Sequence, residues 1–171
     1  MAIRFKEEGH IYESNDQDNI SWTGVTSFIG KFKPKFDRDG QAKKSSKNKR
    51  SKWHGMTPKE IIAAWDGETT RAITLGNFYH NQREADMLGL DTIGRHGVEV
   101  PIIKPLVDDE GIKISPNQKL EEGLYPEHLV YLKSIGLCGQ ADVVEVVNGY
   151  ININDYKTNK EIKNKGFTNW E

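Results

Sequence analysis

Gln140-Ala141-Asp142-Val143-Val144-Glu145-Val146-Val147-Asn148-Gly149-Tyr150-Ile151-Asn152-Ile153-Asn154-Asp155-Tyr156-Lys157 reads as two β-strands closed by a tight turn. Both halves are rich in β-branched residues, and Asn-Gly is the strongest short hairpin signal because type I′ turns need φ > 0 at both central positions. A two-residue turn pairs Val147 with Tyr150. That register sets Asp142 opposite Asp155, on the same face as Lys157 two residues further on. Two carboxylates placed directly across a sheet repel, and a divalent cation between them removes the penalty. Oxygen ligands suit Mg²⁺ or Mn²⁺, which could polarise a phosphate with the Lys157 amine nearby. An Asp-X-Lys pattern with a distant Asp is, on spacing alone, equally compatible with solvent-facing charges.

Upstream, Tyr125 to Lys133 reads as a further strand, and residues 91–121 as irregular, with a turn at Asp108–Gly111. Within that region Val98-Glu99-Val100-Pro101-Ile102-Ile103 is a candidate extra strand. Thr57-Pro58-Lys59-Glu60 combines an N-cap, proline at N1 and glutamate at N3, and predicts a helix running to about Asp66-Gly67. A second helix is expected over Glu68–Leu88, with Gly76 marking a close approach and His80 and Glu84 sharing one face. Ile3–Ser14 suggests a hairpin around Glu8-Gly9, and Thr23–Ile29 a capped entry into a short helix ending near Lys33-Pro34. Residues 37–52 are expected to form a polar, basic helix. The fold class that follows is α+β in layers: one domain over residues 1–171, with a mixed sheet of about four strands flanked by helices.

Composition narrows the possibilities. At 171 residues, 36% hydrophobic and 29% charged, the chain can bury a core. No apolar run approaches bilayer length and no signal peptide is visible, so an intracellular protein without membrane partners is expected. The single Cys138 excludes an internal disulfide, a four-cysteine zinc site and a cysteine-ligated iron–sulfur cluster. The net charge of −1 conceals an asymmetry: ten Lys and Arg face two Asp between Lys31 and Lys52, a net of +8. The remaining 14 basic and 23 acidic residues carry −9. Lys43, Lys44, Lys47, Lys49, Arg50 and Lys52 are the candidate groups for binding a polyanion; as a charge run alone they read equally well as solvated surface.

Taken in order, Gly76-Asn77-Phe78-Tyr79-His80, then Glu127, then Gly139-Gln140-Ala141-Asp142, then Asp155-Tyr156-Lys157-Thr158 resemble the PD-(D/E)XK nuclease superfamily. The likeness is to its RecB-like and phage exonuclease branches and covers roughly residues 74–160. It implies a restriction-endonuclease-like core and metal-dependent cleavage of DNA, double- or single-stranded, with exonuclease or end-processing action in recombination, repair or phage replication. Asp142, Asp155, Lys157 and Glu127 would form the catalytic set, with Mg²⁺ or Mn²⁺ held by His80, Asp142, Asp155 and the carbonyl of Tyr156. Glu127 would act as a ligand or support one, and Glu84 would either bond His80 or, the preferred reading, face solvent. His10, His54, His96 and His128 read as structural or surface groups. A cytoplasmic setting in a bacterial or phage-infected cell is implied, with a homo-oligomer or a recombination partner protein as possible associates. The family's further helix bearing Gln-x-x-x-Tyr has no counterpart between Lys157 and Glu171, so a C-terminally truncated member is expected. The alternative reading is a nuclease-like module that binds nucleic acid without cutting it.

Overall fold

The computed structural model describes residues 3–14, 20–116 and 118–156. In chain order they form β1 (Ile3–Lys6), β2 (Ile11–Ser14), β3 (Thr23–Gly24), α1 (Val25–Gly30), α2 (Arg38–Lys47) and α3 (Pro58–Leu88). There follow β4 (Thr92–Arg95), β5 (Val98–Pro101), β6 (Leu106–Val107), β7 (Lys113–Ser115), β8 (Gly123–Leu132), β9 (Leu137–Val147) and β10 (Tyr150–Asn154). The class is α+β.

β9 is the spine of the central sheet. One of its edges pairs along nearly its whole length with antiparallel β8. The other edge is shared: β10 covers Val143–Val147 and β3 pairs, in parallel, with Leu137 and Cys138. The sheet is therefore mixed and four-stranded, but its fourth member is β3, a stretch that the sequence predicts as a helix entry. The β9–β10 register is the expected one, with Val147 opposite Tyr150. Asn148 and Gly149 both take positive φ, at 53° and 77°, as a type I′ turn requires. The ladder runs only to Asn154–Val143, so Asp155 and Tyr156 lie beyond the strand.

A second antiparallel sheet, β2-β1-β7-β6, includes the predicted N-terminal hairpin. Ile3 and Phe5 from it pack with Leu129 and Cys138 of the central sheet. The extra strand expected at Val98–Ile103 exists as β5, but it does not join the central sheet as a full member. It forms a two-stranded hairpin with β4 and touches β8 through one bridge, Ile102 to Leu124. The two prolines at its end, Pro101 and Pro105, remove the donors that a longer ladder would need.

The two helices expected on either side of Gly67 are one continuous 31-residue helix. A helical Gly costs about 1 kcal/mol relative to Ala and does not by itself stop a helix. Side chains from the basic region brace α3 on both sides of Gly67: Arg38 bonds Asp66 at 2.6 Å, and Lys52 bonds Glu68 at 2.9 Å. α3 starts on the complete capping box that the sequence predicts. Its buried residues are Ile61 near the start and Met87 near the end. Met87 enters a core cluster with Val100, Ile102, Leu124, Val143 and Val147. α3 is thus a beam seated on the sheet near its C-terminus and under α2 near its N-terminus, where Ala42 is fully buried. The entry to α1, predicted as capped, has Gly24 at the N-cap and no side-chain cap, and the helix ends at Gly30. No helix among the described residues is long and apolar enough to cross a membrane.

Thr57→Ala should cost about 1 kcal/mol by removing half of the capping box, which lowers the melting temperature by roughly 2–4 °C in a chain of this size. Thermal unfolding followed by circular dichroism measures it. An unchanged midpoint would mean that α3 does not depend on its cap.

Candidate metal centre

Three elements converge where β9 changes partners. Asp142 lies on β9 between the portions covered by β3 and β10. Glu127 lies opposite it on β8, in the single-residue gap between the Pro126–Val143 and His128–Ala141 pairs. His80 descends from α3. One ligand atom from each of His80, Glu127 and Asp142 lies within 4.8 Å of the others, and all three side chains are half-buried.

The local backbone is unusual at this point. Glu127 has φ of +49°, a left-handed value uncommon for a non-glycine residue and here found inside a strand. On β9, Val143 belongs to the cluster containing Met87 of α3, while its neighbour Asp142 reaches His80 of the same helix. Consecutive strand residues ordinarily point to opposite faces. The alternation is broken here, and the break delivers both carboxylates towards α3.

Asp142 is the hub. Its Oδ1 is 3.3 Å from Nδ1 of His80, and its Oδ2 accepts the backbone N–H of Tyr156 at 2.5 Å. Burial, then the Glu84 and Asp142 carboxylates, push the Glu127 carboxyl up to about 7, against the lowering influence of Lys113 and His80. Lys113 donates to Glu84 at 3.0 Å and lies 3.3 Å from Glu7. Glu127 also borders a cavity of about 150 Å³ between β7 and β8, lined in part by Lys113, Ile114, Tyr125 and His128.

A nitrogen and two carboxylate oxygens converging on one point form a sensible donor set for a divalent cation. Burial first, and then the neighbouring carboxylates, make Glu127 resist ionisation despite Lys113 and His80. Three protein ligands would leave positions for water and substrate. An imidazole among them favours Mn²⁺ over Mg²⁺, which prefers oxygen throughout.

Of the residues singled out in the sequence, the fold brings His80, Glu127 and Asp142 together. It does not bring in Asp155. That residue is exposed, beyond the end of β10, and outside the cluster formed among the described residues. The reason is local: Asp142 takes the Tyr156 N–H onto its carboxylate, so the chain leaves the ladder one pair before Asp155 would face Asp142. The Tyr156 backbone meets Asp142 through its N–H. Lys157 lies outside the described residues. Glu84, expected to face solvent, is instead half-buried and bonded to Lys113. Its helical spacing from His80 was the available signal; Lys113, on a distant strand, had none.

The basic segment is helical over Arg38–Lys47, as expected. Lys43, Lys44, Lys47, Lys49, Arg50 and Lys52 are all exposed, and Lys52 is engaged with Glu68 and stacks 4.3 Å from the Trp53 ring centroid. Of the remaining histidines, His96 pairs with buried Glu145 at 3.1 Å, and His128 lies against Tyr125, in keeping with structural roles. No family model matches the chain, and no curated protein or solved structure is similar to it.

Proposed function

We propose that this chain is a metal-dependent DNA nuclease with a PD-(D/E)XK-type, restriction-endonuclease-like core. The observation that carries the reading is the convergence of His80, Glu127 and Asp142 from a helix and two neighbouring strands. Those residues are among the ones that the family resemblance singles out, together with Asp155, Tyr156 and Lys157. When bound, a divalent cation polarises a phosphodiester and acidifies a coordinated water. The protein's own part is positional. Asp142 orients His80 through Oδ1, and the Tyr156 N–H holds its other oxygen in place. Glu127, half-buried with a carboxyl raised to about 7 without a cation, would give up its proton on binding one. Lys157 would stabilise charge developing on the phosphate, as the resemblance implies, and exonucleolytic or end-processing action on DNA is the form of activity it favours.

The test is incubation of the purified chain with linear duplex, single-stranded and circular DNA in Mg²⁺, Mn²⁺ or EDTA. Cleavage should need the cation and fall sharply in Lys157→Ala. A Lys157→Ala chain that cuts as fast as the parent would remove that lysine from the mechanism. The exposed position of Asp155 favours a second reading, a module that binds DNA without cutting it; DNA binding with no cleavage in any cation is its signature.

The exposed lysines supply a separate prediction. Changing Lys43, Lys44, Lys47 and Lys49 together to Gln should weaken duplex binding and flatten its dependence on log salt by about 0.9 for each phosphate that is no longer neutralised. Titrations at several salt concentrations measure the slope, and an unchanged slope would make the patch plain solvated surface.

A further inference from the structure

Between α1 and α2 the chain reads Lys31-Phe32-Lys33-Pro34-Lys35-Phe36, alternating cations with aromatic rings. Every residue of this stretch is exposed. Phe32 is 74% and Phe36 66% exposed, values that a large apolar side chain reaches only against a cost in water. The rings are not randomly splayed. Phe32 stands edge-on to Phe28 at 5.2 Å, and Phe36 leans on Trp65 of α3 at 6.0 Å. Each ring is therefore supported from one side and largely exposed; Phe32 lies between Lys31 and Lys33, and Phe36 between Lys35 and Asp37.

The segment is also tied to the candidate metal centre at each end. α1 leaves β3 beside β9, where the Val25 side chain packs against Gly139, three residues along the strand from Asp142. At the other end Trp65 belongs to the same helix as His80, 15 residues away and so about 22 Å along its axis.

We infer that residues 31–36 are a stacking platform for single-stranded nucleic acid, feeding a free strand towards the metal centre. Alternating cations and open aromatic faces are what such binding needs: the amines track phosphates while the rings stack on bases. Duplex DNA offers only base edges and backbone here, because its base faces are already stacked on each other. This deepens the nuclease reading by naming the form of substrate it takes, and it rests on that reading for the strand's destination.

The test separates the two. Binding of a fluorescein-labelled oligo-dT of about 15 nucleotides is measured by anisotropy in EDTA, so that catalysis plays no part. Phe32→Ala with Phe36→Ala should weaken binding roughly ten- to a hundredfold at unchanged salt slope, since stacking carries no counterions. Lys31, Lys33 and Lys35 changed together to Gln should instead flatten the slope by about 2. Phe36→Trp should retain affinity, with tryptophan fluorescence quenched as oligo-dT is added. Both phenylalanines are exposed, so an unchanged circular dichroism spectrum is expected and checks the fold. Equal losses on duplex and single strand would overturn the platform, as would parental binding by the double alanine variant. So would phenylalanine-dependent capture by phosphatidylserine vesicles without oligonucleotide binding. If the platform fails while Asp142→Asn still abolishes cation-dependent cleavage, the nuclease reading stands alone. If phenylalanine-dependent strand binding is found without cleavage, the platform stands and the nuclease reading falls.

Discussion

Asp142→Asn should reduce cation-dependent cleavage by about a thousandfold while leaving the chain folded. Asp142 is the residue on which the candidate centre turns: it contributes one converging oxygen, aligns His80 at 3.3 Å and accepts the Tyr156 N–H at 2.5 Å. Asparagine has nearly the same shape and keeps a carbonyl oxygen that can still accept from Tyr156. What it loses is the negative charge that would hold a cation in the proposed mechanism. Lewis-acid stabilisation of a phosphoryl transition state amounts to several kcal/mol, and each 1.36 kcal/mol is tenfold in rate. Initial rates on linear DNA in saturating Mn²⁺, with circular dichroism as a folding control, give the comparison. Cleavage within tenfold of the parent would place the chemistry elsewhere.

The second large effect is a coupled dependence on pH and cation. In the folded chain burial, aided by Glu84 and Asp142, raises the Glu127 carboxyl to about 7, whereas in the unfolded chain it ionises near 4.5. Between those values the folded chain holds a proton that the unfolded chain has released. The contribution of Glu127 to stability is therefore present below about 4.5 and is lost as pH rises through 7. Glu127→Gln removes the titration, so its melting temperature relative to the parent should climb between pH 5 and pH 8. An equal gap at both pH values would show that no proton is held there. Because the cation must displace that proton, Mn²⁺ should stabilise the parent more at pH 8 than at pH 5. At about a hundred times its dissociation constant a bound ion contributes about 2.7 kcal/mol, which is roughly 5–10 °C for a chain of this length. The same Mn²⁺ shift in Glu127→Gln as in the parent would remove Glu127 from the ligand set.

The two effects also differ in what they say about the site. Loss of cleavage in Asp142→Asn speaks to the reaction, whereas the Glu127 titration speaks to the fold that creates the cluster. A chain that shows the second without the first would be a cation-binding protein whose site does no hydrolysis. That outcome would bring the DNA-binding module to the front, with the lysines after α1 as its working surface.

Sequence by itself determined the features that rest on neighbouring residues. The Asn148-Gly149 turn needs no distant partner to impose its register, because both residues tolerate positive φ; β9 and β10 pair accordingly. The Thr57–Glu60 capping box is equally local and starts α3 where expected. His80, Glu127 and Asp142 were each legible as candidate ligands. Tertiary structure decided what those residues do together. That α3 runs on through Gly67 was not legible locally; in the fold, Arg38 and Lys52 bond Asp66 and Glu68 on either side of that glycine. Asp155 does not face Asp142, because the ladder ends at Asn154 and the next N–H, that of Tyr156, turns onto the Asp142 carboxylate. The role of Glu84 depended on Lys113, 29 positions away on strand β7. Local backbone preferences act over a few residues, and a strand register can be read from them. A three-element cluster needs the long-range packing of α3 across β8 and β9, with Glu127 forced to φ of +49° to meet the other two. That last displacement, small and costly, turns two ordinary strand carboxylates and a helix histidine into a place where a cation could sit.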